Sequence, residues 1–168
     1  LPSNLEIDID EINSYLALRQ SGYGRGGRQK IERDKAEILS GVRNKLTLGS
    51  PLAFLIVNRD YENWRSVMSA EAADVTLRTL TRVRPGHADL TGMIKFDQTD
   101  ARNVLERASA RETAVRVTAG TVARQYLRAL GVEITGYVRS VCGIKDEKEY
   151  SFEHIKDNRG SQLFMLDK

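Results

Sequence analysis

Three short stretches gather side chains that can handle an anion or a proton. "SGYGRGGRQK", residues 21–30, sets Arg25, Arg28 and Lys30 among four glycines, with Arg19 just ahead of it. Glycines let backbone amides come close to an anion and arginine adds a two-pronged donor, so a phosphate or carboxylate could be held there. An unspecialised basic loop fits the same composition. An RNA-binding patch would need repeated RGG units or aromatic side chains for stacking, and this stretch has one unit and one tyrosine. In "RVRPGHAD", His87 follows a Pro-Gly break, with Arg82 and Arg84 on one side and Asp89 on the other. A histidine in so polar a loop is a candidate general acid or base, and a merely solvated histidine is the plainer reading. In "LERASARE", a helix starting at Ser109 would present unpaired amides between Arg107 and Arg111, which is an anion site by helix-end physics and otherwise a simple cap.

Composition narrows the chemistry these stretches can serve. The 26 basic residues of the 168 are eighteen arginines and eight lysines, a ratio that favours planar recognition of phosphate and carboxylate over point charge. One cysteine, Cys142, allows no internal disulfide, and with two histidines it is too little for a zinc site, so no metal is expected. No serine or cysteine triad is apparent. The longest apolar run, 52–57, is strand-sized and too short for a membrane span, and no signal segment opens the chain. A soluble, unexported protein in a reducing, cytoplasm-like compartment is expected, folded as a single domain over residues 1–168. Its first residue is Leu1, and no element is expected ahead of the first helix, so the chain reads as a piece of something longer.

The elements that must position these residues follow from spacing. Ile9, Ile12 and Leu16 recur at helical intervals behind a capping box of Asp8 and Glu11, which predicts a helix over 9–19 that ends in a glycine-rich loop over 21–29. "KAEILSGVR" and "SPLAFLIVN" predict an antiparallel pair of strands joined by the turn-rich "NKLTLG", the second apolar enough to be buried on both faces. Residues 58–80 read as partly helical, and Pro85 with Gly86 makes 81–90 a loop. The capping box in "SARE" splits the next helical run into a short helix near 100–106 and a long one over 110–130 closed by Gly131. Val115, Ala119, Val122, Tyr126 and Leu130 would form its covered stripe, with Ala114, Gly120 and Ala123 admitting a neighbour, so that it should be central. Alternation in "VEITGYVRSVCG" predicts a half-buried strand, and the charged stretch after it a surface excursion.

"LRQSGYGRGGRQKIE", "ILSGVRNKLTLGSPLAFLIVNRD", "RPGHADL" and "RNVLERASARETAVRVTAG", in this order and spacing, resemble chorismate synthase over residues 1 to about 143. The resemblance implies an α+β fold, a layered sandwich with helices between antiparallel β-sheets, assembled as a homotetramer. It also implies a lyase of the shikimate pathway of aromatic amino acid biosynthesis. Such a lyase performs an anti-1,4-elimination of phosphate from 5-enolpyruvylshikimate 3-phosphate, giving chorismate. Its cofactor is reduced FMN, with NADPH as one source of flavin reduction, and its partner is a small phosphorylated substrate rather than nucleic acid or membrane. By resemblance, His87 keeps the reduced flavin in its required protonation state. Arg19 and Arg25 line the substrate and pyridine-nucleotide region, and Arg84 binds substrate phosphate or carboxylate. Arg107, Ala108 and Ser109 contact the flavin, with Arg111 beside them at the substrate. A "GESHG"-like histidine segment and the family's second half, with its "GRHDP"-like motif, are expected outside this chain, so that the chain alone should be incomplete. The competing class is an RNA or polyanion module built on loop 21–30.

Overall fold

A computed structural model describes residues 1–21, 33–71, 74, 76–105, 108, 110–158 and 161–166. Helix α1, Ile9–Gln20, starts where the Asp8 carboxylate accepts from the amides of Asp10 and Glu11, as the capping sequence requires. Its buried residues, Ile12 and Leu16, sit one turn apart and face the core. A strand, β1 (Ser3–Glu6), precedes it. That corrects the expectation of no lead-in element. Four residues are too few to show a period, and β1 is held from elsewhere. Thr47 Oγ1 donates to the carbonyl of Pro2 and accepts from the amide of Leu5.

The two expected strands, β2 (Ala36–Ser40) and β5 (Ala53–Ile56), do pair antiparallel, with Ala36 opposite Ile56 and Ile38 opposite Phe54. Between them the chain makes a second hairpin where a plain turn was expected. It is formed by β3 (Val42–Arg43) and β4 (Leu46–Leu48), closed by Asn44 and Lys45 at positive φ, and β4 carries β1 on its other edge. Gly41, at φ 88°, makes the corner between the two pairs, and any Cβ there would lie 2.6 Å from the carbonyl oxygen of Pro51. The β5 strand is covered on one face only. Phe54 and Ile56 pack towards the core, whereas Leu55 and Val57 are exposed.

A 3₁₀ turn, Tyr61–Asn63, and helix α2, Arg65–Met68, make residues 58–80 helical in part. Helix α3, Asp89–Phe96, begins inside the "RPGHADL" stretch. It packs on helix α4, Arg102–Leu105, at Gly92, where a Cβ would meet Val104 Cγ1 at 2.2 Å. The long helix α5, Ala110–Ala129, starts at the predicted break.

The buried face of α5 is not the predicted stripe. Ala114, Thr118, Thr121, Val122 and Gln125 are buried, while Val115, Ala119 and Leu130 are exposed. Small and hydroxylated residues let α1 approach closely, and the threonine hydroxyls donate back to carbonyls four residues earlier, which spares them a buried unpaired donor. Gln125 clamps the two helices by donating to the carbonyl of Asp8 and accepting from its amide, both at 2.9 Å. Among the described residues, α5 is covered by α1 and the strands.

Residues 132–138 form no ladder among the described residues. The pairing begins only at the small hairpin β6 (Ser140–Val141) and β7 (Ile144–Lys145). Alternation alone does not make a strand without a neighbour. The charged stretch after it contains a short helix, α6 (Phe152–Asp157), capped by Ser151. The chain is α+β, with helices on antiparallel strands and a core of Ile7, Ile12, Leu16, Ala36, Ala114 and Val122. No helix among the described residues is long and apolar enough to cross a membrane.

Candidate active site

Two buried carboxylates organise the basic residues. The first is Asp34, in the loop that leads into β2. Its backbone amide donates to Gln20 Oε1 at 3.1 Å, and two residues on the amide of Ala36 donates to Asn13 Oδ1 at 2.8 Å, so the segment is tied to α1. One carboxylate oxygen accepts from Arg19, at the end of α1, at 2.5 Å, and the other from Arg111, in the first turn of α5, at 2.6 Å. Arg111 also donates to the carbonyl of Ile56, the last residue of β5, at 2.9 Å. Two guanidinium groups share this one carboxylate, with Arg19, Arg111 and Asp34 side chains 8%, 16% and 1% exposed. Arg19 Nε is buried with no hydrogen-bond partner among the described residues. An anion's oxygen fits both observations.

Arg111 also lines a cavity of about 340 Å³ with Ile56, Asn58, Tyr61, Trp64 and Val115. The Trp64 ring is fixed there by its Nε1, which donates to Asp60 at 2.9 Å, and by the guanidinium groups of Arg78 and Arg102 at 4.4 and 4.7 Å from the ring centroid.

The second carboxylate is Asp89, the fully buried first residue of α3. Arg84 grips it with Nε at 2.8 Å and Nη2 at 2.7 Å, and adds its own backbone amide at 3.0 Å. The Pro85-Gly86 turn, with Gly86 at φ 68°, brings the chain back so that His87 Nδ1 lies 3.1 Å from Arg84 Nη2 and 3.3 Å from Asp89 Oδ1. These hydrogen bonds from Arg84 hold the Asp89 carboxyl far below the usual carboxylate range, against burial, which acts the other way. Because the folded value is depressed, the stabilisation from this pairing is complete above the ordinary carboxylate pKa of about 4 and is lost only as the pH falls through the lower folded value. Asp89 is therefore an anion at every pH near neutrality.

Of the sequence-predicted residues, Arg19 and Arg111 are thus brought together on one carboxylate, and Arg84 and His87 on another. Ala108, half-buried, lies just ahead of α5. Arg25, Arg107 and Ser109 lie outside the described residues, as does loop 22–30. Sequence reasoning missed Asp34 and Trp64. Asp34 sits in the charged run "KIERDK", where a carboxylate draws no notice, and Trp64 sits in a stretch whose sequence pattern is helical only in part. Among the described residues no cluster of histidine, cysteine and carboxylate could hold a metal ion.

A family model described as chorismate synthase matches residues 1–167. The chain is 49% identical to the chorismate synthase of Caldicellulosiruptor bescii, with 99% of this chain and 45% of that protein covered. It is 53% identical to that of Geobacter sulfurreducens, with 99% and 43% covered. A crystal structure of chorismate synthase superposes with a TM-score of 0.68 at 35% identity, over 98% of this chain and 42% of that one. The chain spans less than half the length of the curated relatives it matches.

Proposed function

We propose, since this chain belongs to the chorismate synthase family, that the full-length protein eliminates phosphate from 5-enolpyruvylshikimate 3-phosphate to give chorismate. The observation that carries this reading is the meeting of Arg19 and Arg111 on Asp34 beside a cavity. Guanidinium groups shielded from water attract anions far more strongly than ones on the surface. The substrate offers a phosphate and two carboxylates, and FMN offers a phosphate.

In the elimination a ring C–O bond breaks, phosphate leaves with the electron pair, and a ring proton is lost as its C–H electrons enter the new diene. Reduced FMN, when bound, supplies an electron transiently and recovers it, so the step has no net redox change. The segment around Arg107, Ala108 and Ser109 would hold the cofactor, while Arg19, Arg25, Arg84 and Arg111 would bind the substrate's anionic groups. His87 Nδ1 can accept from Arg84 or donate to Asp89 without moving the ring. The imidazole is thereby able to change protonation state in place, and Nε2 is left to exchange a proton with the bound reactants. The same reading carries a cytoplasmic homotetramer and, with NADPH, one route to reduced flavin.

Anaerobic assay of the full-length protein with chemically reduced FMN tests the reading. One phosphate should be released for each chorismate formed. Bound substrate and bound reduced flavin without phosphate release would overturn it.

A further inference from the structure

Asp34 enters the proposed function only through the two arginines it holds, and its placement is over-determined. Its amide is fixed by Gln20 and that of Ala36 by Asn13, so the carboxylate cannot follow the arginines; they must come to it. Each oxygen serves one arginine, which sets both the spacing and the angle between guanidinium groups that enter from α1 and from α5. It also neutralises one of their two charges. We propose that Asp34 is a positioning residue of the anion site, one that trades raw anion affinity for the orientation in which a phosphorylated substrate reacts. This inference rests on the lyase function proposed for the full-length protein.

The physical consequence is a split that a carboxylate with only a structural role would not produce. Asp34→Asn removes the negative charge shared by the two guanidinium groups and, with it, the competitor for their donors. A small anion with no orientation to satisfy then binds more tightly. The substrate, whose reacting bond must be held within a fraction of an ångström, still binds but turns over slowly. In the full-length enzyme, D34N is expected to bind inorganic phosphate roughly tenfold more tightly by calorimetry, to show a KM no higher than wild type, and to lose about a hundredfold in kcat. Asp34→Glu restores the charge but displaces the oxygens, so its phosphate affinity returns to the wild-type value while kcat stays low. Should D34N fail to fold, D34E alone carries the test through that same pair of readouts.

Phosphate binding by D34N that is equal to or weaker than wild type overturns the proposal, as does wild-type kcat in D34E. Phosphate binding is read without turnover, so a failure of the lyase reading shows separately, as a wild-type enzyme that releases no phosphate.

Discussion

The Asp34 and Asp89 clusters are built from the same parts and end with opposite electrical character. Each has a carboxylate whose side chain is 1% exposed and which is gripped by arginine. At Asp34 the second partner is another arginine, always charged, so both partners of the carboxylate are permanent cations, whose natural complement is an anion. At Asp89 the second partner is His87, so the cluster is neutral with a neutral imidazole and gains a charge only when the ring takes a proton. In the proposed function, this difference of partner type gives the second cluster a proton-handling group that the first lacks. The difference also has a structural side, since the first cluster joins three segments far apart in the chain and the second closes within six residues.

Removal of the titrating group should break the second cluster's role and leave the first untouched. His87→Ala in the full-length enzyme is expected to lower turnover by about 10²- to 10⁴-fold, the usual range for a general acid or base, with substrate binding close to wild type. A variant that turns over normally in a stopped assay of phosphate release would remove His87 from the mechanism.

A gentler probe moves the platform of the second cluster. Gly92 lies one turn beyond Asp89, and its missing Cβ is what lets α3 rest on Val104. Gly92→Ala should gain about 1 kcal/mol in helix propensity but cost about 1–3 kcal/mol by overpacking. The melting temperature should fall by a few degrees at most. Turnover should fall with it, as Asp89 shifts, while phosphate binding at Asp34 stays at the wild-type value. Equal losses at both sites would show that the two clusters are not mechanically independent.

Legibility in the sequence falls with the distance along the chain between the residues that must meet. The Arg84–His87–Asp89 cluster can be read because a Pro-Gly turn and three polar side chains occupy six consecutive residues. The start of α5 can be read for a similar reason, since a capping sequence is a local signal. The pairing of β2 with β5 is also visible, but the hairpin inserted between them is not, because its strands are two and three residues long. Asp34 is illegible because its partners lie 15 and 77 residues away and only the packing of α1 on α5 brings them together. The buried face of α5 is misread for a related reason. Apolar size points to Val115 and Leu130, whereas close approach of α1 selects Ala114, which its small size does mark, together with Thr118 and Thr121, whose hydroxyls find carbonyls within the helix itself.

The central claim is that the arginines on Asp34 bind the substrate while the His87 imidazole handles a proton, and steady-state kinetics of Arg111→Ala beside His87→Ala in the full-length enzyme test it most directly. Arg111→Ala removes one of the two guanidinium groups at Asp34 and should raise the substrate KM by roughly ten- to a hundredfold, the cost of one charge-assisted contact. His87→Ala should leave KM within a few-fold of wild type and act on kcat. A rise in KM from the histidine variant, or an unchanged KM in the arginine variant, would contradict the division.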